Sequence, residues 1–228
     1  MFKLNTCLTL LFLKEIKFKM SYSDKQLQIL ETAERLFANK GFDGTSVRDI
    51  ADEAGVNVAM ISYYFRSKEK LMETIFEQRM GHIKMRVESL LKDETHTPFE
   101  KMEILIDEHI ERVMHRQQFH KIMFCEQILN KNPFIIKMVN DLKMRNMAVI
   151  HKLIEEGQKK RAFKKDIDLV MMLTTMYGTV SHSMVSLDYY REYNNLQEMP
   201  EAAYQEMFKK NLSNHIKALF KAILKYEE

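Results

Sequence analysis

The sequence predicts an all-α protein, and three observations carry that expectation. Turn formers are scarce, with 6 Gly and 3 Pro in 228 residues. Apolar residues make up 46 % of the chain and recur at steps of three and four, the period of a helix with one buried face. Pro98, Pro133 and Pro200 each open such a run rather than interrupt it, where a missing N–H costs little.

The first twenty residues, MFKLNTCLTLLFLKEIKFKM, stand apart. LTLLFL resembles the centre of a signal peptide, but it is short, Lys14 follows at once and no small-x-small cleavage site appears. It is also far below the ~20 apolar residues of a membrane span. The expectation is a dispensable extension over 1–20, with Met20 as the initiator. Its four lysines, Lys3, Lys14, Lys17 and Lys19, against Glu15 account for the chain's whole net charge of +3. The remainder is balanced, so a nucleic-acid reading must rest on a local surface rather than bulk charge. Cys7 and Cys125 have no pairing or metal-site spacing, which fits a reducing compartment. No other stretch is apolar enough to cross a membrane, so a cytoplasmic protein is expected.

From Asp24 to Lys40 an amphipathic helix carries Leu27, Leu30, Ala33 and Phe37, and Gly41 ends it. Ser46 and Asp49 approximate a capping box for the next helix, whose Val47, Ile50, Ala51 and Ala54 form a small apolar stripe. Gly55 supplies a tight turn and Asn57 caps a short helix, VAMISYYF. Ile61 and Phe65 lie four apart and pack back on the stripe, leaving Ala59, Ser62 and Tyr63 outward. A fourth helix starts after Ser67 and runs well past Met80, with Leu71, Met72, Ile75 and Phe76 on one side. Longer helices follow at about 99–118, 119–130, 134–161, 166–188 and 202–226. The expected organisation is a helix-turn-helix domain over 21–80 joined by a continuous helix to a helical domain over 81–228.

A helix, a glycine turn and a second short helix with an uncharged outward face can place that second helix in the DNA major groove. Val58 and Ala59 suit a thymine methyl, and Ser62 suits a base edge. Tyr63 and Tyr64 have stiff bodies and a terminal hydroxyl able to reach phosphate. Ser67 and Lys68 set a helix N-terminus and an ammonium beside the backbone. The bland alternative is that SYYF fills a core; it holds for Phe65, but so short a helix buries only one side.

The run AERLFANKGFDGTSVRDIADEAGVNVAMISYYFRSKEKLM resembles the DNA-binding domain of the tetracycline-repressor (TetR) family of bacterial transcription regulators. The TSVRDIA-x-x-AGV-N and YYF-x-SKE-x-L blocks carry the resemblance, which covers about a quarter of the chain from Lys25 to Phe76. It implies a homodimer of all-helical subunits bound to a double-stranded DNA operator. It also implies that Thr45, Ser46, Arg48, Tyr63, Tyr64 and Lys68 face DNA. Two departures stand out: many relatives carry an aromatic at the position of Ser62 and a glycine at that of Arg66. Ser62 is then expected to read bases, and Arg66 to add a phosphate contact.

The resemblance further implies that the remaining helices bind an effector and dimerise, without naming either set of residues. Met123, Phe124, Met138, Met144, Met147 and Tyr177 are candidate liners for a small apolar effector, because methionine adapts to varied apolar shapes; ordinary core packing explains the same residues. On the helix 166–188, Val170, Thr174, Tyr177, Gly178 and Ser181 combine apolar and small positions. The last helix repeats Tyr204, Phe208, Leu212 and Leu219. Two such helices per subunit suit a four-helix dimer bundle, with an intramolecular core as the alternative.

In HIERVMHRQQFH the histidines His109, His115 and His120 lack metal-site spacing and read as a solvated face. No nucleophile elbow, P-loop or dinucleotide fingerprint appears, so neither enzymatic activity nor a cofactor or metal is expected. A ligand-responsive repressor is the leading reading. An architectural DNA-binder without effector is a second, and an α-helical carrier or enzyme with a structural helix-turn-helix is a third.

Overall fold

The computed structural model describes residues 22–80, 83–129 and 132–225. Among these the chain forms eleven α-helices. Polar caps set the first ones. Ser23 accepts the Gln26 N–H while the Gln26 side chain returns to the Ser23 N–H, and α1 (Asp24–Lys40) follows. Ser46 and Asp49 reciprocate in the same way before α2 (Val47–Glu53). The Asn57 side chain accepts the Ala59 N–H at 2.8 Å before α3 (Val58–Phe65). α4 (Lys68–Met80) completes the group.

α1 packs on α2 and α4, and α3 packs on both α2 and α4. Their contacts bury Ile29, Leu30, Ala33, Phe37, Ile50, Ala51, Ile61, Phe65, Leu71, Met72, Ile75 and Phe76. Full burial of one such aliphatic or aromatic side chain contributes about 1.5–3 kcal/mol, so this small set outweighs the modest intrinsic stability of short helices. Arg79 ties the end of α4 to α1 through Nε and Nη2, at 2.9 and 2.7 Å from the buried Glu34 carboxylate.

The other helices are α5 (Ile83–Leu91), α6 (Pro98–His115), α7 (Gln117–Leu129), α8 (Pro133–Lys159), α9 (Leu169–Val185), α10 (Leu187–Tyr193) and α11 (Glu201–Leu224). Pro98 occupies the first turn of α6, inside a Thr97–Glu100 capping box. α6, α8, α9 and α11 enclose a core that includes Ile106, Ile110, Leu153, Met172, Phe208 and Phe220. Lys101 is wholly buried in it, its ammonium 2.8 Å from Glu156. Gly157 leaves room for the Phe163 ring, which sits where a Cβ would stand.

The chain divides into two units: residues up to 81 with 121–132, and residues 82–120 with 133–228. Residues 121–132 group with the first unit. Hydrogen bonds account for this. The buried Glu126 carboxylate accepts the Phe42 N–H at 3.1 Å, and Asn132 donates to Asp43 at 2.8 Å.

The expected single helix over 166–188 ends at Val185, where Ser186 (φ −105°, ψ 11°) leaves the helical region before α10 begins. The expected continuity past Met80 rests on residues 81 and 82, and the 1–20 extension on the amino-terminal stretch; both lie outside the described residues. Among the described residues no helix is long and apolar enough to cross a membrane.

Candidate nucleic-acid interface

Gly55, at φ 60°, makes the turn between α2 and α3, and the Val56 N–H closes it on the Ala51 carbonyl at 3.0 Å. Asn57 then starts α3 in a direction fixed by its own cap. Ile61 and Phe65 point into the first unit's core. Ala59, Ser62 and Tyr63 are exposed, and Tyr63 is 81 % accessible, an unusual degree for so large a ring. Val58 and Tyr64 are half-buried. The Tyr63 and Tyr64 rings meet edge to face at 5.1 Å, so each limits where the other's hydroxyl can swing. The outward strip is therefore slim near the start of α3 and aromatic near its end. Such a strip can enter a groove with small groups against base edges and phenolic hydroxyls toward phosphate.

The end of α3 is strained. Arg66 sits at φ 68°, ψ −50°, and the Ser67 N–H donates across it to the Phe65 carbonyl at 2.8 Å. This is a γ-turn with positive φ, an arrangement costly for any residue with a Cβ. The turn leaves Arg66 exposed and lets Ser67 cap α4, its Oγ accepting the Lys70 N–H at 3.1 Å.

Two expected contact residues have internal duties instead. Thr45 is 1 % exposed, and its hydroxyl donates to the Gly41 carbonyl at 2.9 Å. Its side chain is spent on the loop before α2. Lys68 stands where a phosphate contact is expected, but its Nζ donates to the carbonyls of Phe42 and Thr45 at 2.9 and 3.0 Å and lies 4.3 Å from the Phe42 ring centroid. Ser46, Arg48, Asn57 and Ser67 are exposed, although Ser46, Asn57 and Ser67 also serve as caps. Glu126, which sequence patterning did not single out, accepts the Phe42 N–H.

In the second unit Met138, Met147 and Tyr177 are half-buried. Met144 is 70 % exposed, which removes it from the set. Met123 and Phe124, also half-buried, belong to the first unit. The dimer candidates divide as well. Val170, Thr174 and Gly178 stand exposed on α9, with open space around Gly178, and Leu219 is half-buried. Tyr204, Phe208 and Leu212 are buried within the chain's own core. The Tyr204 hydroxyl donates to the Leu187 carbonyl at 2.6 Å, and Phe208 meets Tyr190 edge-on at 5.1 Å. Ser181 is buried too, 2.8 Å from His120. For Tyr204, Phe208 and Leu212 the reason is that α11 lays its apolar stripe on α6 and α9 of its own chain. The intramolecular alternative holds for these three residues and for Ser181.

The histidine run is not a uniform solvated face. His115 is exposed, but His120 turns inward to Ser181, and His109 stacks edge-on against Tyr177 at 5.1 Å. His109 lies between Ile106 and Val113 at helical spacing, and this was the available signal for an inward side chain. Burial holds His109 well below the usual imidazole range, reinforced by the nearby Arg112 and His120 charges. Burial lowers His120 and raises Tyr177.

Residues 29–75 match the family described as bacterial regulatory proteins, tetR family, and residues 76–219 match the carboxyl-terminal region of YsiA-like proteins. The probable HTH-type transcriptional regulator YttP of Bacillus subtilis is 34 % identical over 64 % of this chain and 69 % of its own length. The fatty acid metabolism regulator protein of the same organism is 23 % identical over 71 % of this chain and 82 % of its own. Among solved structures, the transcriptional regulator FadR from Bacillus subtilis in complex with stearoyl-CoA aligns with a TM-score of 0.63 at 22 % identity, over 85 % of this chain and 96 % of that one. The ketosteroid transcriptional regulator KstR2 of Mycobacterium tuberculosis aligns with a TM-score of 0.63 at 22 % identity, over 90 % and 97 %. Matches that together run from residue 29 to residue 219 place the chain in the TetR family of bacterial transcription regulators.

Proposed function

We propose that the chain is a repressor that binds a palindromic operator as a homodimer in the bacterial cytoplasm and is released by a small, largely apolar effector. The carrying observation is the outward face of α3, with Ala59, Ser62 and Tyr63 exposed while Ile61 and Phe65 anchor the helix from behind. In this reading residues 21–80 hold the DNA-reading elements and the second unit holds the effector and the dimer contact. Val58, Ala59 and Ser62 meet bases. Tyr63, Tyr64, Arg48 and Arg66 meet phosphates, and Ser46 and Ser67 present helix N-termini to them. Met138, Met147 and Tyr177 line the effector site. A relative named for fatty acid metabolism and a structural neighbour holding stearoyl-CoA support an effector with a long apolar body.

Selection of bound duplexes from a random pool tests the reading. It should return an inverted repeat with half-sites about 34–36 Å apart, one helical turn. Ser62→Ala should relax preference at particular positions, by roughly 1–3 kcal/mol per lost base contact. A direct repeat, or no enrichment at all, rejects the dimeric reader.

A further inference from the structure

His109 is the strongest unexplained group in the second unit. Its Nε2 is fully enclosed and has no hydrogen-bond partner among the described residues. An enclosed polar nitrogen left unpaired costs free energy, so native proteins rarely keep one unless something outside the chain completes it. The ring stands edge-on to Tyr177, 5.1 Å away, on α6 and α9 respectively. One turn along α9 from Tyr177, Ser181 bonds His120. His109 and Tyr177 are half-buried as whole residues while Nε2 itself is enclosed, so a ligand reaches it only when neighbouring side chains move aside. Ile106, Ile110, Met176 and Val180, all buried, flank the pair along the same two helices. An imidazole and a phenol in an otherwise apolar wall suit an apolar ligand that ends in a polar atom.

We propose that His109 Nε2–H and the Tyr177 hydroxyl donate hydrogen bonds to the oxygen of a carboxylate or acyl-carbonyl head on the effector. The proposal rests on the second unit being the effector-binding unit. Its chemistry follows from the surroundings. Burial, with Arg112 and His120 behind it, disfavours a charge on His109, and burial pushes Tyr177 further toward its protonated form. A neutral imidazole carries one N–H, assigned here to Nε2, and the protonated Tyr177 hydroxyl can also donate. A purely hydrocarbon effector would leave Nε2 unpaired and is disfavoured for that reason.

Calorimetry on the full chain with decanoate, decanoyl-coenzyme A and decane tests this. At least one headed probe should bind about tenfold or more tightly than decane, the order expected for a completed buried hydrogen bond. Which headed probe wins separates a free acid from a thioester. His109→Phe should keep decane binding and abolish the preference, whereas His109→Gln should retain part of it. Equal binding of all three probes, no binding of either headed probe, or a preference that survives His109→Phe overturns the proposal. Should His109→Phe fold poorly, the His109 ring nitrogen resonances of the unaltered chain decide. They should shift when the headed probe is added, and an unchanged Nε2 signal means that it bonds only water. A chain that selects an inverted repeat yet ignores both headed probes refutes the head site and leaves the regulator standing. A chain that binds a headed probe but selects no duplex does the reverse.

Discussion

Arg66 and Lys68 show how residues two apart can differ in what they contribute. Lys68 braces the loop before α2 through the Phe42 and Thr45 carbonyls, so its loss acts first on the shape of the reading surface. Arg66 braces nothing of that kind. It is exposed, yet it occupies φ 68°, ψ −50°, a conformation that costs a side-chain-bearing residue of order 1–3 kcal/mol. Arg66→Gly removes that strain and returns about 0.5–1 kcal/mol of it as unfolded-chain entropy. The expected outcome is a gain of about 1 kcal/mol, read as a melting temperature higher by roughly 2–4 °C. An unchanged or lower melting temperature means that the turn is not strained. If Arg66 reaches a phosphate, the same variant weakens binding to all duplexes alike and lowers the salt slope by about one. A residue that costs stability and supports DNA contact would explain an arginine where glycine fits better.

At the scale of elements, what the sequence made legible followed the reach of each signal. The caps at Ser46 and Asn57, the turn at Gly55 and the inward pair Ile61 and Phe65 are local, and the structure places them as expected. The break at Ser186 has no proline or glycine to announce it, and the stripe on α11 is equally apolar whether a partner or its own chain covers it. Long-range facts such as the Glu126–Phe42 hydrogen bond leave no periodic trace. The exposed face of α3 was legible because a short helix has only one side to bury. The effector unit was not, because half-buried methionines look alike in sequence. Gly157 is another position fixed only by tertiary packing. An added Cβ would lie 2.0 Å from Phe163 Cδ2, and Phe163 is itself held edge-on by Phe99 at 4.9 Å. Gly157→Ala should therefore cost about 3 kcal/mol, the upper end of overpacking effects. Pairing it with Phe163→Leu should recover part of that loss, since the two sites share one space. A cost below about 1 kcal/mol for Gly157→Ala alone would show that the ring moves aside freely.

For the whole molecule the decisive question is what covers α9. Val170, Met171 and Val185 are exposed along it, as are Tyr189 and Tyr193 on α10, large apolar side chains of the kind that an interface covers. Tyr204, Phe208 and Leu212 on α11 are occupied within the chain, which leaves α9 as the proposed seat of a dimer contact. Thr174 and Gly178 lie at the middle of that face, and nothing stands within 4 Å of a Cβ built on Gly178. Close approach of a second helix requires such small residues, whereas the fold of a single chain does not. Gly178→Arg therefore separates the two demands. It should leave the helical content of the chain intact, and even favour the helix slightly, because glycine costs about 1 kcal/mol in a helix interior. Sedimentation should show the variant as a monomer at concentrations where the unaltered chain is a dimer. A monomer presents a single α3, so it loses the second half-site and with it the effective-concentration gain of a linked pair, on the order of 10²–10⁴ in operator affinity. Binding to one isolated half-site should not change. A Gly178→Arg chain that stays dimeric and keeps full operator affinity would place the dimer contact elsewhere than on α9.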